Sequence, residues 1–589
     1  MIKLRKLSVL IVKAFIGILP LSFRAFLKRN PRLTALYSRS LQRAGLFYGF
    51  PSSKSLEALY AKNVVEQNNA ISQTIIDPQV QLSLLVCVYK LDQLELNQLL
   101  TSISLQVNSF QQLLFWCKTK DLEYCTEIVK QFELTSPVSV TDNLASYVSD
   151  KANFSDHNWF VVYQNEQIHP ELVTVLKSDK RSEVDLVYVD TDVIDSNGKR
   201  VSPAFYPDWN PDLLLSTGYV SSGIWLKHIS MLLGDAALML SDVGIAEWML
   251  KNYLSGKCQA IEHIPLVLLH RRKNEAYNKS AFNESVSKLV GNRGRVSNDS
   301  AHSGLTIHWN IPSETLVSLI IPTKNAKDLV QACIESILEK TKYPHYEILL
   351  VDNNSDDPQS LKYFEQLSAH PKIKLLKYAH PFNYSAINNF AVKHAKGEVI
   401  GLINNDIEVI SPTWLDYMVG HVARDDIGCV GAKLLYSDGR VQHAGVVLGY
   451  GGGAGHAHKY FPRYHSGYLN RLAATGNFSA VTAACLLVKK SDYLAVGGLN
   501  EQDLTIAFND VDFCLKVLEL GRRNLYCAEA ELYHHESVSR GFEDTKEKQV
   551  RFESELHYLK TNWASYLAHD PAYNSNLTLR RENFSIRDS

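Results

Sequence analysis

Several segments of this chain end in side chains that can handle a phosphate, a cation or a proton. VSLIIPT (317–323) places Pro322 and Thr323 at its end and runs on into Lys324 and Asn325. YEILLVDNNS (346–355) delivers Asp352, Asn353 and Asn354, and EVIGLINND (398–406) delivers Asn404, Asn405 and Asp406. ELYHHES (531–537) carries His534 and His535. Asp352 can accept hydrogen bonds from a ribose or a base edge. Asp406 is a hard oxygen ligand suited to Mg2+ or Mn2+, and imidazole can join it, although His prefers softer metals. Asn and Asp also favour turns, so each alone is ambiguous; their recurrence at corresponding ends points to a site.

AFNDVDFCLKVLELG (507–521) adds two acids, Asp510 and Asp512. Val511, Cys514, Leu515 and Leu518 fall at i, i+3, i+4 and i+7, the buried stripe of a helix that Gly521 stops. Asn509 suits the N-cap. Asp510 then lies in the first turn, where the helix dipole favours a negative charge. Capping explains one acid, and proton acceptance is the second reading. Asp512 points away from Asp510 and suits a structural role.

The elements that carry these ends alternate. Strand 317–323, helix 328–340, strand 346–355, a helix from Pro358, strand 372–378, a helix stopped at Gly397 and strand 398–406 follow one another. This rhythm predicts a mostly parallel sheet with right-handed crossovers, whose ligands bind outside the carboxyl ends of the strands. A similar alternation runs from Gln79, with VQLSLLVCVY, HNWFVVYQNE and EVDLVYVDTD as strands. The polar stretch from Asn292 to Gly304 reads as a linker. The chain is therefore expected to hold a duplicated α/β unit: 1–78 as a basic helical segment, 79–300 as a first domain and 306–589 as a second.

Bulk properties narrow the field. The 589 residues include 61 Lys+Arg against 62 Asp+Glu, so no global basic field invites nucleic acid. The nine cysteines are scattered and never spaced as CxxC, which suits buried thiols in a reducing compartment. Residues 1–56 contain no Asp or Glu, while basic residues surround LSVLIVKAFIGILPLSF. Lys13 and Pro20 interrupt this run, so it is short for a span of about 20 residues. It fits the surface of an anionic bilayer, or a helix packed on its own protein. The stretch from Gly439 to Ser491 also lacks acids and is rich in Gly, Lys, Arg and His. It reads as a surface for a phosphate-bearing ligand or as a mobile loop; GYGGGAGHAH within it lacks the helix and the acid that a dinucleotide fingerprint needs.

PTKN, VDNNSDD, LINNDIEVISPTWL, VGAKLLYSDGRVQHAGVVLG, TAACLLVKKSDYLAVGGLNE, AFNDVDFCLK and YHHESVSRG, in this order from about Val317 to Phe542, resemble the motif series of family 2 glycosyltransferases. The nearest subgroup serves bacterial O-antigen and cell-surface polysaccharide assembly. The resemblance implies a GT-A fold, a nucleotide-diphosphate sugar donor such as a UDP- or dTDP-sugar, a divalent cation (Mg2+ or Mn2+), and inversion at the anomeric carbon. It implies donor contacts from Pro322, Thr323, Asn325, Asp352, Asn354, Asn404, Asn405 and Arg540. Asp406 takes the place of the metal carboxylate, with Asn404 replacing the first acid of the DxD motif. His534 or His535 takes the place of the remote metal ligand. Asp510 stands where the family has its base, and Asn509 replaces the preceding Glu.

The first repeat resembles the same fold in degenerate form. LLFWCKTKD replaces the VDNNS segment, and Tyr163 and Asn165 replace the acids of the metal strand. Asp190-Thr191-Asp192 mimics a DxD motif one strand too late and is expected to be structural. No base motif or His pair precedes the linker, so this domain is expected to be inactive or to hold substrate. The acceptor implied is a hydroxyl of a glycan or lipid-linked glycan, and the location implied is cytoplasmic, peripheral on the inner membrane. A non-catalytic sugar- or nucleotide-binding scaffold and a nucleotidyltransferase are the other readings; the second would release pyrophosphate.

Overall fold

A computed structural model describes residues 53–74, 77, 80–149, 158–178, 184–241, 243–272, 279–298, 304–535 and 545–587. The basic segment 1–52 and Arg540 lie outside the described residues. Among the described residues no helix is long and apolar enough to cross a membrane.

The chain divides into two units. One spans Ser53–Asn292 and takes in Tyr573–Leu577 and Ile586–Ser589; the other spans Arg293–Ala572 and takes in Thr578–Ser585. Helix Ser53–Ile71, placed with the basic segment by composition, belongs to the first unit. Its Gln67 accepts the Val267 amide through Oε1 at 3.0 Å, and its buried Tyr60 bonds Asp192.

The first unit holds strands β1 (Leu82–Val88), β2 (Leu113–Cys117), β3 (Val138–Thr141), β4 (Asn158–Tyr163), β5 (Glu166–Ile168), β6 (Leu186–Ile194), β7 (Arg200–Ala204), β8 (Ile224–Leu226) and β9 (Ile261–Arg272). They form one sheet in the order β3-β2-β1-β4-β8-β6-β9-β5, with β7 on β6.

The second unit opens with β10 (Gly294–Ser297), inside the stretch read as a linker, which pairs antiparallel with β11 (Thr306–Trp309) just beyond it. Its polar composition hides the pairing; Leu305 and Ile307 are buried, at 6% and 7% exposure, and Trp309 packs on His421. The main sheet comprises β12 (Val317–Thr323), β13 (Tyr346–Asp352), β14 (Ile373–Lys377), β15 (Val399–Ile403), β16 (Ile407–Val409), β17 (Ile427–Leu435) and β18 (Val441–His443). A short pair, β19 (Val446–Leu448) and β20 (Ala454–His456), stands apart. Strands β21 (Gly476–Asn477), β22 (Cys485–Lys489) and β23 (Arg523–His534) complete the sheet. Its order is β14-β13-β12-β15-β22-β17-β23-β16, with β18 on β17 and β21 on β23.

The two orders are the same strand for strand. Parallel and antiparallel pairs match as well: β1 pairs β2 and β4 in parallel as β12 pairs β13 and β15, and β6 pairs β9 as β17 pairs β23. Both units are thus α/β sheets of one GT-A-type, mostly parallel plan.

Burial explains the apolar runs. All seven residues of β12 are buried, because helices cover both faces of the sheet. Leu319 and Ile321 join one core cluster and Ile320 joins another, the period-two alternation of a strand between two layers. With the interior of β12 closed to water, Thr323 and Asp352 lie side by side at the carboxyl ends of β12 and β13.

Candidate active site

Parallel pairing of β12 with β13 puts Thr323 beside Asp352 and Pro322 beside Val351. Thr323 Oγ1 accepts from Asn405 Nδ2 at 3.0 Å, and Asp352 Oδ1 accepts from the Ser355 amide at 3.0 Å. Asn325 has its side chain bonded to a neighbouring loop. It takes the left-handed conformation (φ 54), and its Oδ1 accepts from the Asp356 and Asp357 amides at 2.9 and 3.0 Å. Its Nδ2 donates to Asp356 Oδ1 at 2.7 Å, so both ends of the amide staple two strand-end loops together. Asn354, also left-handed (φ 56), is exposed and reaches only the His380 carbonyl at 3.4 Å. The neighbouring Asn353 is buried and donates to the carbonyls of Tyr378 and His380 at 3.1 and 2.7 Å.

Antiparallel pairing of β16 with β23 sets Ile407 opposite His534. His534 Nε2 lies 3.2 Å from Asp406 Oδ1 and 3.2 Å from Asn404 Nδ2. His534 Nδ1 meets Gln442 Oε1 at 2.7 Å. His535 turns away, as the next residue along an extended chain does: Nδ1 meets Ser437 Oγ at 2.8 Å and Nε2 meets Glu408 Oε2 at 3.1 Å. Of the two histidines, only His534 joins Asp406 through its ring.

Asp406 and His534 fit a divalent cation. Asp406 is buried, and its Oδ1 makes no well-aligned hydrogen bond. Burial opposes its charged form, yet contact with His534 and that ring's positive charge outweigh burial and hold the carboxyl below the ordinary range. A cation between the Asp406 carboxylate and His534 Nε2 would supply the positive charge that this buried carboxylate faces. Among the described residues no group of three or more His, Cys, Asp and Glu is arranged for a metal. Two protein ligands suit a cation that fills its remaining positions with water and substrate phosphate.

Asp510 sits at the second position of the Asn509–Glu519 helix and is partly exposed. Asn509 is not the cap: Phe508, left-handed at φ 59, precedes the helix, and Asn509 Nδ2 bonds back to the Ile506 carbonyl at 3.1 Å. The Asp510 carboxylate accepts the Val511 amide at 2.9 Å through Oδ1 and the Ala483 amide at 3.1 Å through Oδ2. The adjacent Ala484 carbonyl accepts the Asn404 amide at 3.0 Å. Asp510 and the Asn404–Asp406 turn thus hang on consecutive residues of the segment leading into β22, at one rim. Asp512 is fully buried, accepting from Trp563 Nε1 at 2.9 Å and pairing with Lys516 at 2.7 Å.

The acid-free stretch 439–491 is neither a mobile loop nor a free positive face. Its strands β18 to β22 join or flank the sheet, and its cations have partners elsewhere. Arg463 pairs with Glu531 at 2.6 Å and Arg440 with Asp438 at 2.6 Å. Arg471 is buried, donates to the Ala572 carbonyl at 2.6 Å and lies over the Phe478 ring. Lys489 and Lys490 donate to the carbonyls of Arg424 and Ala395. The GYGGG glycines make the turn between β19 and β20.

In the first unit the equivalent positions carry other groups. Ile245 is the second residue of helix Gly244–Leu254, as Asp510 is of its helix. Glu166 on β5 faces Arg271 on β9, where β16 faces His534. Tyr163, the last residue of β4, takes the Ile245 amide on its hydroxyl at 3.1 Å. Asp190 is buried against His263 (2.9 Å), the Tyr206 amide and Asn574; Asp192 is buried against Arg200 (2.6 Å) and His270 (2.6 Å).

Residues 318–491 match the family model for Glycosyl transferase family 2. An uncharacterized protein of Sinorhizobium fredii is 41% identical over 434 residues, covering 69% of this chain and 47% of its own length. An O-antigen biosynthesis protein of Myxococcus xanthus is 34% identical over 426 residues, covering 69% of this chain and 32% of its own. The chain therefore spans about half the length of the first relative and about a third of the second. A glucosyltransferase of Escherichia coli that acts on a diphosphoundecaprenol-linked sugar is 34% identical over 91 residues, 15% of this chain and 35% of its own. A mannosyltransferase of Pyrobaculum calidifontis, solved with GDP-Man and Mn2+, aligns over 43% of this chain and 72% of its own at 17% identity and TM-score 0.30, too loose for sites to be compared.

Proposed function

We infer, for a chain that belongs to glycosyltransferase family 2, that its second unit transfers a sugar from a nucleotide-diphosphate donor to a hydroxyl of a growing glycan, with inversion. The acceptor class, a cell-surface polysaccharide or its lipid-linked precursor, rests on what the Myxococcus and Escherichia relatives are named for. The donor is a UDP- or dTDP-sugar, and the work takes place at the cytoplasmic face of a membrane.

One observation carries this reading: the Asp510 carboxylate, aimed by two backbone amides, shares a rim with the Asp406–His534 pair. Asp510 takes the proton of the acceptor hydroxyl as that oxygen bonds to the anomeric carbon. The bond from that carbon to the diphosphate oxygen breaks, and the nucleoside diphosphate leaves with the bonding electrons. Asp406 and His534 would hold Mg2+ or Mn2+, which supplies charge neutralisation of the departing diphosphate. Thr323, Asp352 and Asn405 face the nucleotide side of the rim. Asn404 supports His534 and ties the turn to Ala484, and Asn325 maintains the loops by its staple.

A panel of UDP-, dTDP- and GDP-sugars with Mn2+ and a glycan acceptor tests this. Transfer should release a nucleoside diphosphate, and Asp510→Asn should cost about 10²- to 10⁴-fold in kcat with donor affinity kept. Donor binding without transfer by the native chain would establish the scaffold reading; release of pyrophosphate would establish a nucleotidyltransferase.

A further inference from the structure

Strand β18 is three residues long, yet it reaches both halves of the rim. Its pairing with β17 slips: Leu435 faces Val441 and Leu434 faces His443, leaving Gln442 as the extra residue of a β-bulge. Bulges re-aim side chains and concentrate beside active sites. Gln442 is 1% exposed and His443 is fully buried, so neither can bind an external ligand directly.

Gln442 contacts the His534 ring, and His443 contacts the backbone one residue before the amide that holds Asp510. Gln442 Oε1 accepts from His534 Nδ1–H at 2.7 Å. That leaves Nε2 as the ring atom facing Asp406 Oδ1, with the Asn404 amide donating toward it. His443 Nδ1 donates to the Ala432 carbonyl at 2.9 Å, which leaves Nε2 to accept the Thr482 amide at 3.2 Å. Thr482 directly precedes Ala483, whose amide holds Asp510 Oδ2. Gly445, at φ +92 against the Phe478 ring, turns the chain away immediately afterwards, a conformation and a space that suit only glycine.

We propose that Gln442 and His443 are paired positioning residues: Gln442 sets the ring and tautomer of His534 toward the cation, and His443 sets the 482–483 backbone that aims Asp510. This rests on the reading of Asp406 and Asp510 given above. The physical basis is that a ligating imidazole is fixed by what its other nitrogen bonds, and loss of such a partner typically weakens metal binding 10- to 100-fold. One bulged dipeptide then couples cation side and proton side without touching substrate.

The test needs no turnover. Mn2+ binding to the full chain is titrated by the electron paramagnetic resonance signal of free Mn2+, and hydrogen exchange is followed in segment 480–485. Gln442→Leu should weaken Mn2+ about 10- to 100-fold, whereas Gln442→Glu, which still accepts from Nδ1–H, should hold native affinity or better. His443→Leu should leave Mn2+ affinity unchanged and speed exchange in 480–485 at least 10-fold; His443→Gln, which retains a donor and an acceptor, should restore protection. Native Mn2+ affinity in folded Gln442→Leu, while Asp406→Asn loses it, overturns the proposal alone. Equal loss of Mn2+ in Gln442→Leu and His443→Leu overturns the division of labour. No Mn2+ binding by the native chain, or none lost in Asp406→Asn, overturns the cation reading and this proposal together.

Discussion

Asp406 and Asp510 carry the same functional group and meet different surroundings. Asp406 is buried with one oxygen directed at an imidazole, while Asp510 is partly exposed and held by two amides. The first suits a fixed positive charge, the second a group that must meet an incoming alcohol. In the first unit, titration governs stability instead. His263 is pushed up to about 9: burial lowers it, but Asp190 and Asp208 more than reverse this. Because its folded value lies above the unfolded one of about 6.5, its contribution is complete below that pH and is lost as pH rises through about 9. Asp190 is itself lifted by burial, which makes its charge costly, so the gain belongs to the protonated imidazole. Thermal midpoints measured from pH 6 to 10 should fall across this window, and His263→Gln should flatten the fall. A native profile level to pH 10 would refute the assignment.

Among the elements, helix Lys546–Asn562 supports the approach to Asp510. Its Glu555 is 1% exposed and accepts from Thr505 Oγ1 at 3.0 Å, the Ile506 amide at 2.9 Å and the Ala507 amide at 3.1 Å. Phe552, one turn earlier, packs on Phe508 at 5.4 Å between ring centroids, at the left-handed residue that opens the Asp510 helix. Glu555→Ala strips these three donors, and Arg551 Nε, of their acceptor and should cost about 2–4 kcal/mol in denaturant unfolding. A loss under about 0.5 kcal/mol would mean that water replaces the carboxylate at no cost. None of this was visible in the composition of a polar, weakly patterned helix. The Asp510 helix was visible, because Val511, Cys514, Leu515 and Leu518 repeat at helical spacing whatever they touch. Its cap was not, since Asn509 fits both a cap and an interior position bonded to Ile506.

For the whole molecule, two sheets of one strand order have different chemistry at equivalent positions. Ile245 is the second residue of its helix as Asp510 is of its own, Arg271 faces Glu166 where His534 faces Ile407, and the Tyr163 hydroxyl takes the Ile245 amide. At these positions an arginine stands in place of the imidazole proposed to hold a cation, and an alkyl group in place of the carboxylate proposed to accept a proton. The full chain should therefore bind one Mn2+, and Asp406→Asn should bind none; calorimetric titration returning two sites, or one that survives the substitution, would show that the first unit retains a metal site.

Legible along the chain were the duplicated alternation of strands and helices and the strand ends that carry Thr323, Asp352, Asp406 and His534; Asp510 joined them only through the resemblance to family 2 glycosyltransferases. The former follow from local periodicity and from the rule that ligands meet an α/β sheet at the carboxyl ends of its strands. Tertiary structure alone decided which histidine faces Asp406, that Asn325 staples loops, that the cations of 439–491 are already paired, and that Gln442 holds His534. These depend on partners remote in the chain, 92 residues apart for Gln442 and His534, and the period of a strand or helix carries no information about which distant side chain it will meet.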